Sequence, residues 1–260
     1  MLRRFFRQAW LYYKGTNSAF NFQEFALLEL AYPLLTLIFY VILAAYSFNT
    51  SNLTRWVVGN SFLLCVNITL FSLGMAFDRE RQYNSLRSII VSPVNKLAVA
   101  LQKAAFPMLM AIITVAVGFI AAALLFHVRI ADINPGLLLA IIAVSMFASA
   151  GLGILFAAVS LLSDSVHLLL NTMSYVLMIF CGANFPIAQL PVWGRAVSYI
   201  LPLTRGIQAA NMLFAELDVP KFLRLLAGEF TVGAAYFLAA FILIKFAERA
   251  AIKRASLEIF

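Results

Sequence analysis

Apolar residues in this chain neither alternate with polar ones nor recur in a narrow stripe; they run on for whole windows. A helix needs about 20 mainly apolar residues to cross a bilayer. Six windows meet or approach that length: residues 27–48, 56–77, 104–126, 136–162, 166–182 and 226–246. The two-residue alternation of barrel strands is missing from all of them. Backbone amides facing lipid must be satisfied within the protein, so the pattern predicts an all-α integral membrane fold with six transmembrane helices.

Composition agrees with the pattern. Hydrophobic residues make up 63% of the 260 and charged residues 12%, where a soluble domain has roughly 45–50% and 25%. The net charge of +8 needs no nucleic acid to explain it, because Lys and Arg collect in the cytoplasmic loops of membrane proteins. Thirteen of the nineteen fall in three clusters: Arg3, Arg4, Arg7 and Lys14; Arg79, Arg81, Arg87, Lys96 and Lys103; Lys245, Arg249, Lys253 and Arg254. Six crossings put all three clusters on one side, so both termini are expected in the cytoplasm and the chain in the inner, cytoplasmic membrane.

Candidate chemistry is sparse. Cys65 and Cys181 lie inside apolar windows without metal-type spacing and read as small core residues. His127 and His167 are isolated near span ends, and no His-Glu-x-x-His pair is present, so neither a metal site nor an intramembrane protease is expected. Glu29 and Glu229 stand near the starts of the first and sixth windows, where a carboxylate is expected to reach the interface. Buried midplane carboxylates and internal repeats, which an ion-driven carrier would want, are not found. The first twenty residues are aromatic and basic, unlike a cleavable signal peptide.

Three segments carry more than membrane crossing. Residues 1–20 form an amphipathic pattern: Arg3 and Arg7 project to one side, Phe6 and Trp10 to the other. Such a helix lies in the interface, with its aromatics in the acyl boundary and its arginines toward headgroups. Residues 78–103 begin with charges and turn apolar at Leu86, Ile89 and Ile90, whose spacing predicts a short amphipathic helix ended by Pro93. Residues 183–207 are too apolar for an exposed loop, and Pro186, Pro191 and Pro202 forbid one continuous helix. A broken, re-entrant hairpin at the outer face is expected, with Trp193 at the interface. In the fourth window Ser145, Ser149, Gly153 and Ala157 repeat every four residues; small residues so spaced let helices approach closely. Whether that face meets its own chain or a neighbour is open at this stage.

Taken together, these segments resemble the membrane subunits of type-2 ABC exporters over essentially the whole chain. Glu80, Arg81, Leu86, Ser92 and Pro93 fit that family's cytoplasmic element. Gly182, Phe185, Pro186, Leu190, Pro191, Trp193, Leu201, Pro202, Leu203 and Thr204 fit its outer element. The family's Gly-Thr-Leu reads Asn84-Ser85-Leu86, and Gln82 replaces a frequent Glu; Asn and Ser keep the turn chemistry.

The resemblance implies a coupling helix that docks on a separate ATPase, using Arg79, Glu80, Arg81, Asn84, Ser85, Leu86, Ile90 and Pro93. It also implies a second permease, as a homodimer or heterodimer. The chain has no phosphate-binding loop of the G-x-x-x-x-G-K-[ST] type, so ATP and Mg2+ are expected on the partner subunit, with no cofactor here. A lining of apolar and aromatic residues favours an amphiphilic cargo: a drug-like natural product, a lantibiotic-like peptide or a lipid-linked molecule. The alternative is a non-transporting receptor or immunity protein that binds a peptide at the outer face.

Overall fold

The computed structural model describes residues 2–17, 31–50, 52–83, 88, 96–126, 133–163, 165–215 and 217–254. The described residues contain helices and no strand. In chain order these are α1 (Leu2–Asn17), α2 (Tyr32–Phe48), α3 (Thr54–Gly74), α4 (Ala76–Gln82), α5 (Lys96–Phe126), α6 (Pro135–Ser160), α7 (Val166–Phe180), α8 (Val192–Ile200), α9 (Thr204–Leu213) and α10 (Val219–Arg254). A 3-10 turn, Ile187–Gln189, precedes α8.

Among the described residues, four helices are long and apolar enough to span a bilayer: Thr54–Gly74, Lys96–Phe126, Pro135–Ser160 and Val219–Ala247. The other two expected spans are shorter, Pro33–Phe48 and Val166–Phe180. At 1.5 Å per residue, a 15-residue helix such as α7 covers about 22 Å, less than the roughly 30 Å hydrocarbon layer. Helices α5 and α10 both begin before the apolar windows do, at Lys96 and Val219. Residues 96–103, expected in the connecting segment, are therefore the first two turns of α5.

Helices α3 and α6 form the inside of the bundle. Of their apolar windows 72% and 61% are buried, against 35% for α5 and 22% for α10. The peripheral helices expose large side chains: Leu109, Ile113 and Leu124 on α5, Phe230, Leu238 and Phe246 on α10. In water such a surface would be a liability; against lipid it is the expected face.

The stripe of small residues on α6 serves its own chain. A Cβ placed on Gly153 would lie 2.8 Å from Leu73 Cβ of α3, and one on Gly206 of α9 would lie 2.1 Å from Ser145 Oγ. Ser149 donates to the Ser145 carbonyl at 2.7 Å, and Ala157 packs with Ala76, Phe77 and Ala100. Alongside, a Cβ on Gly233 of α10 would come within 2.7 Å of Ala148 Cα, and one on Gly151 within 2.7 Å of the Gly233 carbonyl. Helices α6 and α10 thus touch backbone to backbone.

Helix α1 lies along α5. Gln102 donates to the Phe5 carbonyl (3.1 Å) and the Gln8 amide oxygen (2.7 Å). The rings of Trp10 and Tyr13 meet Phe106 at 5.2 and 5.7 Å. Arg3 and Arg7 are exposed, and Phe6 and Trp10 are each about half exposed. The helix is amphipathic as the sequence predicts, with part of its aromatic face on α5.

Candidate functional site

A cleft of about 550 Å3 opens between α2, α3 and α7. Its walls are mixed. Leu37, Leu63, Ile68, Phe71 and Met178 supply apolar surface, while Asn60, Asn67, Asn171, Ser174 and Tyr175 supply hydrogen-bonding groups. Asn60 and Asn67 are two turns apart on α3, so they present amides to the same side. Ser174 of α7 donates to Asn67 Oδ1 at 3.0 Å, tying the two walls together. Arg79 of α4 also lines the cleft; it lies beyond the C-terminal end of α3, some 19 residues along the chain from Asn60.

Toward the other end of the cleft, Asn60 joins α3 to the bend that follows α7. Asn60 Nδ2 donates to Asn184 Oδ1 (3.1 Å) and to the Trp56 carbonyl (2.9 Å), and Trp56 Nε1 donates to the Asn184 carbonyl (3.1 Å). The backbone approaches as closely as the side chains: a Cβ on Gly59 would fall 2.7 Å from Ala183 Cα. Gly182 has φ +87°, in a region that glycine adopts readily and other residues rarely, and there the chain turns out of α7. A smaller cavity of about 200 Å3 adjoins the same bend, lined among others by Arg55, Gly182, Pro186, Gln208 and Asn211.

Beyond the bend the helix is broken at the prolines. Pro186 leads into the 3-10 turn, Pro191 precedes α8, and Pro202 lies buried between α8 and α9. Phe185 is partly exposed, and the exposed Trp193 meets Phe180 edge-on at 5.7 Å. Arg195 ties the hairpin to itself, donating to the carbonyls of Leu190 and Ala188, both at 2.9 Å.

The residue that holds this hairpin to the bundle is Glu229, which the sequence places at an interface. The structure corrects that expectation: Glu229 is fully buried. Its carboxylate accepts the backbone N–H of Leu203 and, at 3.2 Å, that of Arg205. These are among the N–H groups that the start of α9 leaves without intrahelical partners. Leu203 has φ +83°, a left-handed conformation unfavourable for a bulky side chain, and the carboxylate fixes the turn in that state. Two turns on, Tyr236 of α10 donates to the Ile200 carbonyl at 3.1 Å. The Arg205 guanidinium stacks over Tyr199 at 5.4 Å. In the sequence Glu229 is a lone acid in an apolar run, and its partner N–H groups are 24 and 26 residues away; an acid flanked by apolar residues on every side was the available sign.

The charges at the other end are also engaged within the chain. Glu80 pairs with Lys103 of α5, which donates in addition to the Ala76 carbonyl and lies over the Tyr12 ring of α1 at 4.9 Å. Arg81 donates to the carbonyls of Ser160 (2.6 Å) and Ser163 (3.3 Å) at the end of α6. Gln82 donates to Asp78 at 3.0 Å. So Arg79, Glu80 and Arg81 do share one short helix, but Glu80 and Arg81 are spent on joining α1, α4, α5 and α6. Asn84, Ser85, Leu86, Ile90 and Pro93 lie outside the described residues, as do Glu29 and His127. His167 is exposed, with Nδ1 2.8 Å from the Asn171 amide.

No curated protein matches the chain. A family model described as "ABC-2 type transporter" matches residues 2–214, from α1 to the end of α9. That is most of the sequence, and the chain belongs to this family: it is a multi-pass membrane permease subunit of an ABC transporter, of a kind that works with an ATPase subunit and has no ATPase site of its own.

Proposed function

We propose that this ABC-2 permease exports an amphiphilic molecule from the cytoplasm, driven by ATP and Mg2+ held on a separate nucleotide-binding subunit. The observation that carries the reading is the cleft between α2, α3 and α7. It has apolar and amide-bearing walls, and Asn60 on its wall is bonded to Asn184 of the bend after α7. Apolar walls accept a tail or ring system, while neutral amides bind polar groups without the large desolvation penalty of a charge. A drug-like natural product, a lantibiotic-like peptide or a lipid-linked molecule all fit this lining.

In the same reading, α2, α3, α5, α6, α7 and α10 are six crossings with both termini in the cytoplasm of the inner membrane. The short α7 completes its crossing through the bend, and residues 183–207 form the outer gate with Gly182, Phe185, Pro186, Pro191, Trp193 and Pro202. Helix α1 rides in the cytoplasmic interface. Helix α4 and the segment to residue 103 couple to the ATPase. Because Arg81 caps α6 and Glu80 anchors α5 through Lys103, a push on this segment reaches both spans as one rigid unit. A second permease, identical or related, faces the open side of the cleft and completes the path. The whole chain is one permease domain.

The test is the complex of this chain with its ATPase, reconstituted in vesicles with the ATPase outside. Candidate amphiphiles should stimulate ATP hydrolysis and accumulate inside. Asn67→Trp, which fills the cleft, should remove stimulation and accumulation together. Normal accumulation by a well-folded Asn67→Trp complex overturns the cleft as the path. Peptide binding at the outer face without ATP-driven movement would favour the receptor or immunity alternative.

A further inference from the structure

We propose that the exported molecule carries an anionic group, a phosphate or a carboxylate, on its amphiphilic body, and that Arg79 and Arg55 receive that group at the two ends of the path. The inference rests on the export reading, since it takes the cleft as the path.

Among the described residues that line the cleft, Arg79 is the charged one, and Asp and Glu are absent. The smaller cavity beyond the bend repeats the arrangement: Arg55 lines it beside the amides of Gln208 and Asn211, again without a carboxylate among the described residues. Both arginines are partly buried. Neither has an ion pair or a side-chain hydrogen bond among the described residues. Other basic side chains at the two ends are engaged: Lys103 with Glu80, Arg81 with the end of α6, Arg195 with two carbonyls, Arg205 over Tyr199. Among the described residues, Arg79 and Arg55 thus each present a guanidinium to a cavity without a side-chain partner.

A half-buried guanidinium without a counter-charge is set up to take an anion, with two N–H groups matched to two oxygens of a phosphate or carboxylate. A cationic cargo would meet repulsion at both ends, in surroundings where water screens charge poorly. Between the arginines the lining is neutral, with Asn60, Asn67, Asn171 and Ser174, so an anion in transit exchanges one set of N–H donors for the next.

The test uses the purified full chain in a nonionic detergent, with monododecyl phosphate and dodecyltrimethylammonium as probes and inorganic phosphate as the tail-less control. Saturable binding is read by calorimetry on monodisperse protein. The phosphate amphiphile should bind at least about ten times more tightly than the ammonium. Arg79→Gln and Arg55→Gln should each weaken it by roughly fivefold. Arg79→Lys and Arg55→Lys, which keep the charge but lose the two-pronged match, should fall between the wild type and the glutamine variants, and Arg224→Gln, at an exposed position of α10, should leave it unchanged. Equal affinity for the ammonium overturns the inference, as does unaltered binding by both glutamine variants. Inorganic phosphate binding as tightly as the amphiphile marks a free-anion site and overturns the amphiphilic body. Binding needs no ATPase, so the two readings fail separately: a probe that binds as expected but is not moved by the ATP-driven complex sinks the export reading alone.

Discussion

The two flanks of α3 are built on opposite principles. On one, α3, α6 and α10 meet through glycines, alanines and serines, with Gly233 seated on the backbone of Ala148 and Gly153 on Leu73. On the other, α3 faces α2 and α7 across a cleft of about 550 Å3, with amides spaced along its wall. Lipid is as apolar as leucine, so burying apolar surface drives little helix association in a membrane. Close packing and internal hydrogen bonds have to do it, and the first flank relies on close packing. The second flank is joined by a few polar contacts, Ser174 to Asn67 and Asn60 to Asn184, and holds an opening beside them. A rigid seam beside a loosely joined wall is what a path that opens and closes requires.

That contrast breaks most severely at the seam. Gly233→Val would push a side chain into the Ala148 backbone, which cannot move aside. A loss of about 3 kcal/mol or more is expected, seen as collapse of the monodisperse fraction and of the melting temperature. Glu229→Ala should follow closely: it leaves the N–H groups of Leu203 and Arg205 buried and unpaired, at about 2–3 kcal/mol. Glu229→Gln, which keeps one acceptor oxygen, should recover about half of that. If Glu229→Ala melts like the wild type, the carboxylate does not hold the hairpin.

Arg81→Met tests the seam's far end. It uncaps the Ser160 and Ser163 carbonyls and should lower stability by about 1–2 kcal/mol, measured by thermal unfolding in detergent. The same substitution will depress transport, so impaired transport alone does not identify a contact with the ATPase; a melting curve has to accompany it. The smallest effect on folding belongs to the cleft. Ser174→Ala removes one hydrogen bond to Asn67 and should stay within about 1 kcal/mol, while it alters cargo-stimulated ATP hydrolysis. A cleft substitution that destabilised as much as Gly233→Val would erase the distinction between the flanks.

Much of the fold was legible along the chain. Long apolar windows marked the apolar helices, four of them long enough to span a bilayer among the described residues. The three prolines at 186, 191 and 202 marked breaks in helix, and the arginine–aromatic pattern of residues 1–14 marked the amphipathic α1. Each is a local property, read from length, period or a fixed φ angle, and lipid as solvent leaves little choice but helix. The candidate site was less legible. Asn60, Asn67, Asn171 and Ser174 are ordinary polar residues within apolar runs, and only packing shows that they face one opening.

What the sequence by itself determined is that the chain lives in the membrane, where its helices break, and which family it belongs to. The tertiary structure decided what the polar groups do. Glu229 turned from an interfacial acid into the clasp of α9, Glu80 and Arg81 turned inward, and the small face of α6 met its own chain. The physical reason is common to all three. Hydropathy and period are carried by neighbours within a few residues, but a charge or a glycine acquires its role from a partner that the fold brings alongside, here 23 to 82 residues away.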